Sequence, residues 1–209
     1  MFDLKITNGL ILDGSGNAAF TGDIGIIKDK IAAIGDLREQ ESVQTVNANG
    51  NMVAPGFIDM HTHSDLSFKY DRRANSKLHS GVTTEVIGNC GICVAPVSEK
   101  NRQLLIDYLG TRLIGSIPVN LELPWTSFKE YLDWFAENPP SINLAPLLGQ
   151  GAVRIAVMGF TKGMPNAVEL KDMQQITDTA MAEGALGLSS GLVYLPGEYS
   201  SKEEIAELC

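Results

Sequence analysis

The sequence is poor in the residue types that most often bind transition metals. It contains three histidines and three cysteines in 209 residues, and so sparse and odd a set of cysteines is typical of a reducing cytoplasm rather than of a disulfide-bonded secreted domain. No apolar run approaches the ~18 residues that a membrane-spanning helix needs. The first ten residues also lack the basic and apolar segments of a secretory signal. We therefore expect a cytoplasmic protein with no membrane partner.

Basic residues are scarce as well. Lysine and arginine number 16 against 25 aspartates and glutamates, which gives a formal net charge of −9. Because phosphate backbones and anionic membranes repel such a chain, neither is expected as the main partner. The chain does have 44% hydrophobic and 20% charged residues, a composition typical of globular proteins. Its length predicts one large domain, or one domain with a small appendage.

Residues 1–54 predict a group of short β-strands. The segments DLKIT and LIL flank Asn8-Gly9, a pair that favours a tight hairpin turn. DIGII and IAAI flank a second predicted hairpin at Lys28-Asp29-Lys30, and VQTV ends the group. Because these strands cannot bury two sheet faces by themselves, they need partner strands from elsewhere in the protein.

From Met52 onward the pattern changes to strand, helix, strand. The segments NMVAPGFID, TTEVI, SINLAPLL and GALGLSS predict buried strands. Between them, Ser127-x-x-Glu130 is a capping box that begins a helix, and residues 166–183 predict another helix that Gly184 ends. This alternation indicates an α/β protein with parallel strands and crossover helices.

The last residues predict a further helix. Ser201-x-x-Glu204 is a second capping box, so this helix is expected to begin near Lys202. A closed (β/α)8 barrel needs eight strands and roughly 250 residues, whereas four barrel-type strands precede Cys209. We expect the first half of such a barrel in residues 55–209, on a truncated chain. The alternative is a complete open sheet, which would leave an apolar edge unprotected.

Two histidines follow the first of these strands, in the segment PGFIDMHTHSD. In extended backbone His61 and His63 point to one face, and barrel active sites form at the C-terminal ends of strands. Two neutral imidazoles at that place could bind a divalent ion. Asp59 and Asp65 share the same alternation and could join the site or orient a ring. The alternative is an ordinary polar strand end without metal.

A cysteine, Cys90, ends the second strand in GVTTEVIGNCGICVAP. Its thiolate would face the same rim as the two histidines and is a good zinc ligand. With Cys93 it also forms C-x-x-C, which alone could be half of a zinc knuckle or a redox pair. Because the sequence has no second C-x-x-C, we interpret Cys93 as a buried, inert cysteine.

Three segments together resemble a known family. APGFIDMHTHSD, GVTTEVIGNCGI and GALGLSSGLVYLPGEYSSKEEI are similar to the N-terminal half of the N-acyl-D-amino-acid deacylases (D-aminoacylases), a branch of the amidohydrolase superfamily. The resemblance covers essentially the whole chain. It implies that residues 55–209 form the N-terminal half of a metal-dependent (β/α)8 TIM barrel. Residues 1–54 would be strands of a small β-sandwich that C-terminal strands complete.

The resemblance also implies roles for individual residues. His61 and His63 match the H-x-H that binds one zinc position, and Cys90 matches the zinc-binding cysteine of the family's G-N-C-G. Tyr194 matches a tyrosine associated with substrate binding, with a packed loop aromatic as the alternative. The family's catalytic aspartate and two further zinc histidines are expected beyond Cys209. No catalytic residue is therefore assigned within this chain.

One position departs from the family pattern: relatives usually carry histidine where this sequence has Gln150, which cannot titrate. The implied activity is zinc-dependent hydrolysis of small-molecule N-acyl-D-amino acids to a carboxylate and a D-amino acid. The oligomeric state is left open. The alternatives are a cyclic amidase of the dihydroorotase or hydantoinase kind, a non-catalytic scaffold and an inert fragment. Cys90 favours the deacylase over the cyclic amidases, which normally use a modified lysine.

Overall fold

The computed structural model describes residues 1–113 and 121–209. These residues separate into two compact units, Met1–Gly56 and Phe57–Cys209. None of the described helices is both long and apolar enough to cross a membrane.

The first unit is one five-stranded sheet. Its strands are β1 (Phe2–Ile11), β2 (Phe20–Ile27), β3 (Lys30–Gly35), β4 (Ser42–Asn47) and β5 (Met52–Val53). They lie in the order β3-β2-β1-β4, and β5 also pairs with β1. Neighbours β1, β2 and β3 are antiparallel, whereas β4 and β5 run parallel to β1. The predicted hairpin between β2 and β3 is confirmed, and Lys28 in its turn has a positive φ of 57°.

The hairpin predicted at Asn8-Gly9 is wrong, because β1 continues through both residues. Asn8 has a positive φ of 54°, and the pairing of β1 with β2 shifts register between Ile6 and Gly9. The Asn8 amide donates a hydrogen bond of 2.9 Å to the Asp23 carboxylate. The left-handed backbone that suits a hairpin turn here forms a bulge inside a long strand.

The second unit combines short parallel strands with helices. The sheet β6-β7-β8 consists of Phe57–Asp59, Val82–Ile87 and Asn143–Pro146, and a second sheet pairs β9 (Leu148–Gly149) with β10 (Leu188–Ser189). The helices are α1 (Ser67–Tyr70), α2 (Asn75–His79), α3 (Arg102–Arg112), α4 (Phe128–Glu137), α5 (Gln150–Met158), α6 (Ala167–Glu183) and α7 (Lys202–Leu208). The predicted α/β class with parallel strands is confirmed. Across the described residues these strands form two open sheets rather than a closed barrel.

Two predicted strands are each divided in the structure. NMVAPGFID supplies β5 to the first unit and β6 to the second, with Pro55-Gly56 between them. SINLAPLL supplies β8 and β9, which separate after Pro146. Proline has no backbone N–H to donate to a ladder, so strands tend to break beside it.

Helices α4 and α6 begin and end as predicted. The Ser127 hydroxyl accepts from the Glu130 N–H at 3.0 Å, and the Glu130 carboxylate accepts from the Ser127 N–H at 3.2 Å. Gly184 ends α6 in a left-handed conformation with a φ of 118°. Both ends follow from local sequence alone.

An aromatic cluster beneath the rim of the parallel strands supports the loops that follow them. Trp125, Phe128 and Tyr131 are fully buried. The Trp125 indole N–H donates to the Val94 carbonyl at 2.8 Å, and the Tyr131 hydroxyl donates to the Asp65 carbonyl at 3.4 Å. The core thus holds the segment after β6 and the segment after β7, which carry the predicted metal ligands.

Candidate metal centre

The three predicted metal ligands lie at the C-terminal ends of two neighbouring strands. His61 and His63 follow β6, and Cys90 follows β7. One ligand atom from each side chain lies within 4.8 Å of the other two, and His61 Nε2 is 3.0 Å from Cys90 Sγ. The structure therefore brings together the two imidazoles and the thiol that the sequence placed at one rim.

This donor set fits a zinc ion. With bonds of roughly 2.0–2.3 Å, the nitrogen and sulfur ligands of tetrahedral zinc lie about 3–4 Å apart. The three ligand atoms here are compatible with that spacing, since one pair is 3.0 Å apart and none of the pairs exceeds 4.8 Å. His63 Nδ1 is buried and has no hydrogen-bond partner among the described residues. Burial and the neighbouring His61 lower the pKa of His63, which favours the neutral imidazole that binds metals.

Thr62, between the two histidines, attaches the H-x-H segment to β7. Its N–H and its hydroxyl both donate to the Val86 carbonyl, at 3.2 and 3.0 Å. The hydroxyl also lies 3.2 Å from a Glu85 carboxylate oxygen, and the Asn89 amide donates to the Thr62 carbonyl at 3.3 Å. Because side chains alternate in extended backbone, fixing Thr62 on one side directs both imidazoles to the other.

A buried carboxylate, Glu85, supports this attachment and is balanced by Lys77. The Lys77 ammonium lies 2.8 Å from Glu85 and 3.1 Å from Asp59. Burial lowers the pKa of Lys77, but the hydrogen bonds to both carboxylates outweigh that effect, and the pKa is raised. Asp59, which also accepts from the His61 N–H at 3.3 Å, is thus part of an ion pair and not of the ligand cluster.

Asp65 is likewise outside the ligand cluster, although it is only 1% exposed. Burial raises its pKa to about 7, with a smaller contribution from Glu85, while hydrogen bonds from the Asp65 and Gly88 amides act in the opposite direction. The Asp65 backbone carbonyl accepts from the Tyr131 hydroxyl at 3.4 Å, which connects the histidine segment to the aromatic core. The structure thus gives Asp65 a supporting position.

The turn at Cys90 has an unusual backbone. Cys90 has a positive φ of 57°, between Gly88 at 77° and Gly91 at 72°. A non-glycine residue rarely adopts this left-handed conformation. A Cβ on Gly88 would overlap the Leu147 carbonyl, so the close approach of the neighbouring strand requires glycine there. This turn leaves Cys90 half-buried, with its thiol directed to His61.

Cys93 is not part of the cluster. It is 2% exposed, its thiol donates to the Ala95 carbonyl, and burial raises its pKa to about 12. A thiol that stays protonated is a poor metal ligand and a poor redox nucleophile. This environment agrees with the interpretation of Cys93 as an inert cysteine and disfavours a redox pair.

Tyr194 lies in the loop after β10. Its ring stacks on the Arg112 guanidinium, 4.7 Å from the ring centroid, and Arg112 also lies 5.7 Å from the Tyr108 ring. The Tyr194 N–H donates to the Gly191 carbonyl at 3.2 Å. A Cβ on Gly191 would overlap the carbonyl of Cys90. The tyrosine loop therefore starts beside the candidate metal centre, and a role of Tyr194 in substrate binding stays a prediction.

Gln150, at the position where the resemblance implies a histidine, lies outside the ligand cluster. It is fully buried, and its amide donates to the Ser200 hydroxyl at 2.8 Å and to the Glu204 carboxylate at 2.7 Å. Glu204 also forms a fully buried ion pair with Arg154. In this chain position 150 therefore connects α5 to α7.

The second predicted capping box is wrong in one half. The Ser201 hydroxyl does accept from the Glu204 N–H, at 3.1 Å. The Glu204 carboxylate, however, contacts Gln150 and Arg154 instead of accepting from the Ser201 N–H. The sequence pattern around Glu204 predicted a helix cap and gave no sign of the buried ion pair. Its partner, Arg154, lies 50 residues earlier in the sequence, so no local spacing connects the two.

Comparisons with known proteins agree with this architecture. The sequence model of the Amidohydrolase family matches residues 44–206. The chain belongs to the amidohydrolase family. The chain is 38% identical over 208 residues to a D-aminoacylase of Alcaligenes xylosoxydans xylosoxydans, covering 100% of the chain and 41% of the relative.

Two solved structures are similar to the chain over nearly its whole length. A D-aminoacylase crystal structure superposes with a TM-score of 0.87 at 35% identity, covering 100% of the chain and 42% of the relative. An N-acyl-D-glutamate deacylase from Bordetella bronchiseptica, complexed with zinc and a phosphonate inhibitor, gives 0.85 at 34% identity, with 99% and 42% covered. The resemblance to the deacylase branch is thus confirmed. The chain spans about two fifths of the length of these relatives.

Proposed function

We propose that this chain carries part of the metal centre of a zinc-dependent hydrolase that cleaves the amide bond of N-acyl-D-amino acids. The observation that carries the proposal is the cluster of His61, His63 and Cys90 at one rim. The similarity to a deacylase structure that contains zinc supports both the metal and the substrate class. The products would be a carboxylate and a free D-amino acid.

Each residue of the cluster has a defined part in this proposal. Zinc, when bound, would lower the pKa of a water ligand towards ~7 and polarise the scissile carbonyl. His61 and His63 supply imidazole nitrogens, and Cys90 supplies a thiolate. Thr62 holds both rings in place. Tyr194 would contact the substrate from the adjoining loop, and the carboxylate that accepts the proton of the water is assigned to no residue of this chain.

The same proposal extends to the architecture and the location of the protein. We infer that residues 55–209 are half of a (β/α)8 barrel and that residues 1–54 belong to a β-sandwich, as the resemblance implies. The sparse cysteines favour the cytoplasm. The net charge of −9 favours a small-molecule partner over nucleic acid. Cys90 within reach of the histidines favours a deacylase over a cyclic amidase.

The test is the metal content of the Cys90→Ala variant. We expect the purified chain to bind zinc and the variant to bind it roughly tenfold or more weakly, because one of the protein ligands is lost. Elemental analysis gives the zinc content. Cobalt substitution adds a thiolate-to-cobalt charge-transfer band that should vanish in the variant.

The matched control is Cys209→Ala, which removes an exposed cysteine and should leave both measurements unchanged. Equal zinc binding by the chain and by Cys90→Ala would contradict the proposal. The substrate class is tested separately, on a protein that extends over the full length of the relatives. That protein should hydrolyse N-acetyl-D-amino acids but not their L-enantiomers, and a chelator should abolish turnover.

A further inference from the structure

We propose that Ser189 is a positioning residue for the Cys90 thiol, an inference that rests on the proposed metal-binding function. Ser189 is the last residue of β10. Its hydroxyl donates to the Gly88 carbonyl and accepts from the Gly91 N–H at 3.0 Å. These two backbone groups lie on either side of Cys90. A single hydroxyl thus bridges both ends of the turn that presents the thiol.

The turn needs such support because its own sequence does not define its shape. Gly88 and Gly91 give the backbone wide conformational freedom. Cys90 itself occupies a left-handed conformation, with a φ of 57°, which is unfavourable for a non-glycine residue. Contacts from outside the turn must therefore select the conformation that directs the thiol to His61. Ser189 supplies two of them.

A second contact lies two residues further along the chain. Gly191 packs so closely on the turn that a Cβ would overlap the Cys90 carbonyl, and a Cβ on Gly91 would lie 3.0 Å from the Gly191 nitrogen. Segment 189–191 therefore contacts the backbone of the turn both before and after Cys90. Since the Tyr194 N–H donates to the Gly191 carbonyl at 3.2 Å, the tyrosine loop begins from this same contact.

The geometry assigns Ser189 more than a general structural role. A hydroxyl that only joined two strands would affect the stability of the chain but would have no selective effect on metal affinity. A hydroxyl that sets the position of a ligand affects metal affinity directly, since outer contacts of metal ligands typically contribute about 10–100-fold. The property to measure is therefore the cobalt–thiolate bond and not the stability of the chain.

The experiment is a Co²⁺ titration of the chain, of Ser189→Ala and of Ser190→Ala. Co²⁺ affinity should fall about 10–100-fold in Ser189→Ala, and its thiolate-to-cobalt band should weaken and shift. Ser190 is the exposed neighbour, and Ser190→Ala should behave as the unchanged chain. A normal band and normal affinity in Ser189→Ala, or equal losses in both variants, would overturn the inference.

A second pair of variants covers the case in which Ser189→Ala does not fold. Ser189→Thr and Ser189→Val have nearly the same shape, and both suit a strand, but only threonine keeps the hydroxyl. Threonine should preserve the cobalt band and valine should lose it, whereas equal bands would overturn the inference. A chain without any Cys90-dependent band contradicts the proposed metal site itself. A Cys90-dependent band that Ser189→Ala leaves intact contradicts the positioning role alone.

Discussion

The three cysteines of this chain have the same side chain and three different environments. Cys90 is half-buried with an imidazole nitrogen 3.0 Å from its sulfur, Cys93 is buried, and Cys209 is exposed. Burial raises the pKa of Cys93 to about 12. Because the thiolate and not the thiol is the nucleophile, reactivity at the residue scale follows from these environments.

Alkylation should therefore distinguish the three thiols. At about pH 8, where an ordinary thiol is partly ionised, iodoacetamide should label Cys90 and Cys209 of the folded chain and spare Cys93. Prior addition of Zn²⁺ should protect Cys90 while Cys209 still reacts. Peptide mass spectrometry measures each site, and chain unfolded in urea, in which all three should react, is the control. Fast labelling of Cys93 in the folded chain would show that this thiol is not shielded.

The sequence could predict that the three candidate metal ligands lie close together, but not the contacts that support them. His61 and His63 share a face through the two-residue period of extended backbone, and Cys90 follows the next strand. The bonds of Glu85 to Lys77 and of Ser189 to the Cys90 turn connect residues with no shared spacing. Only the folded chain brings those partners together, so no local pattern could indicate them.

At the scale of elements, α5 and α7 are joined by buried charge. The side chains of Arg154 and Glu204 are fully buried as an ion pair, and the Gln150 amide donates to the same carboxylate. Removal of one partner leaves the other charge buried and uncompensated, which costs more than the net contribution of the intact pair. The attachment of α7 should therefore depend strongly on this carboxylate.

The corresponding prediction compares two adjacent glutamates. Glu204→Ala should lower the free energy of unfolding by ~3–5 kcal/mol, because it leaves the buried Arg154 guanidinium unpaired. Glu203→Ala, on the exposed side of the same helix, should change it by no more than ~0.5 kcal/mol. Urea unfolding followed by tryptophan fluorescence measures both. Similar values for the two variants would mean that the ion pair does not hold α7 in place.

A helix could be predicted where the local sequence marks its start or its end. Helix α4 was predictable because the local capping box Ser127-x-x-Glu130 begins it, and α6 was predictable over residues 166–183 because Gly184 ends it. Helix α5 was not. It begins after Gly149 without a side-chain cap, and most of its residues are buried. No capping residue marks its start, and Gly151 within it is a poor helix former, so no local signal predicted it.

At the scale of the whole molecule, alternation of strands and helices predicted parallel sheets but could not define their closure. The described residues give the three-stranded sheet β6-β7-β8 and the pair β9-β10. Among the described strands, β6 forms one edge of the larger sheet and pairs only with β7. Its side chains include Phe57 at 65% and Ile58 at 59% exposure. An apolar edge of this kind is a template for pairing with another chain.

We expect the 209-residue chain to self-associate through β6. Ile58→Lys should shift it towards monomer, because a charge on an edge strand opposes pairing with a second copy. Sedimentation velocity over a range of concentrations measures the shift. Val168→Lys is the matched control: it adds the same charge at a 69% exposed position on α6 and should leave the association unchanged. If both lysines dissolve the oligomers equally, the effect is not specific to β6, and pairing through the edge strand does not explain the association. If the unchanged chain is already monomeric at every concentration, β6 is not a site of association. The unpaired backbone groups of β6 are then hydrogen-bonded to water.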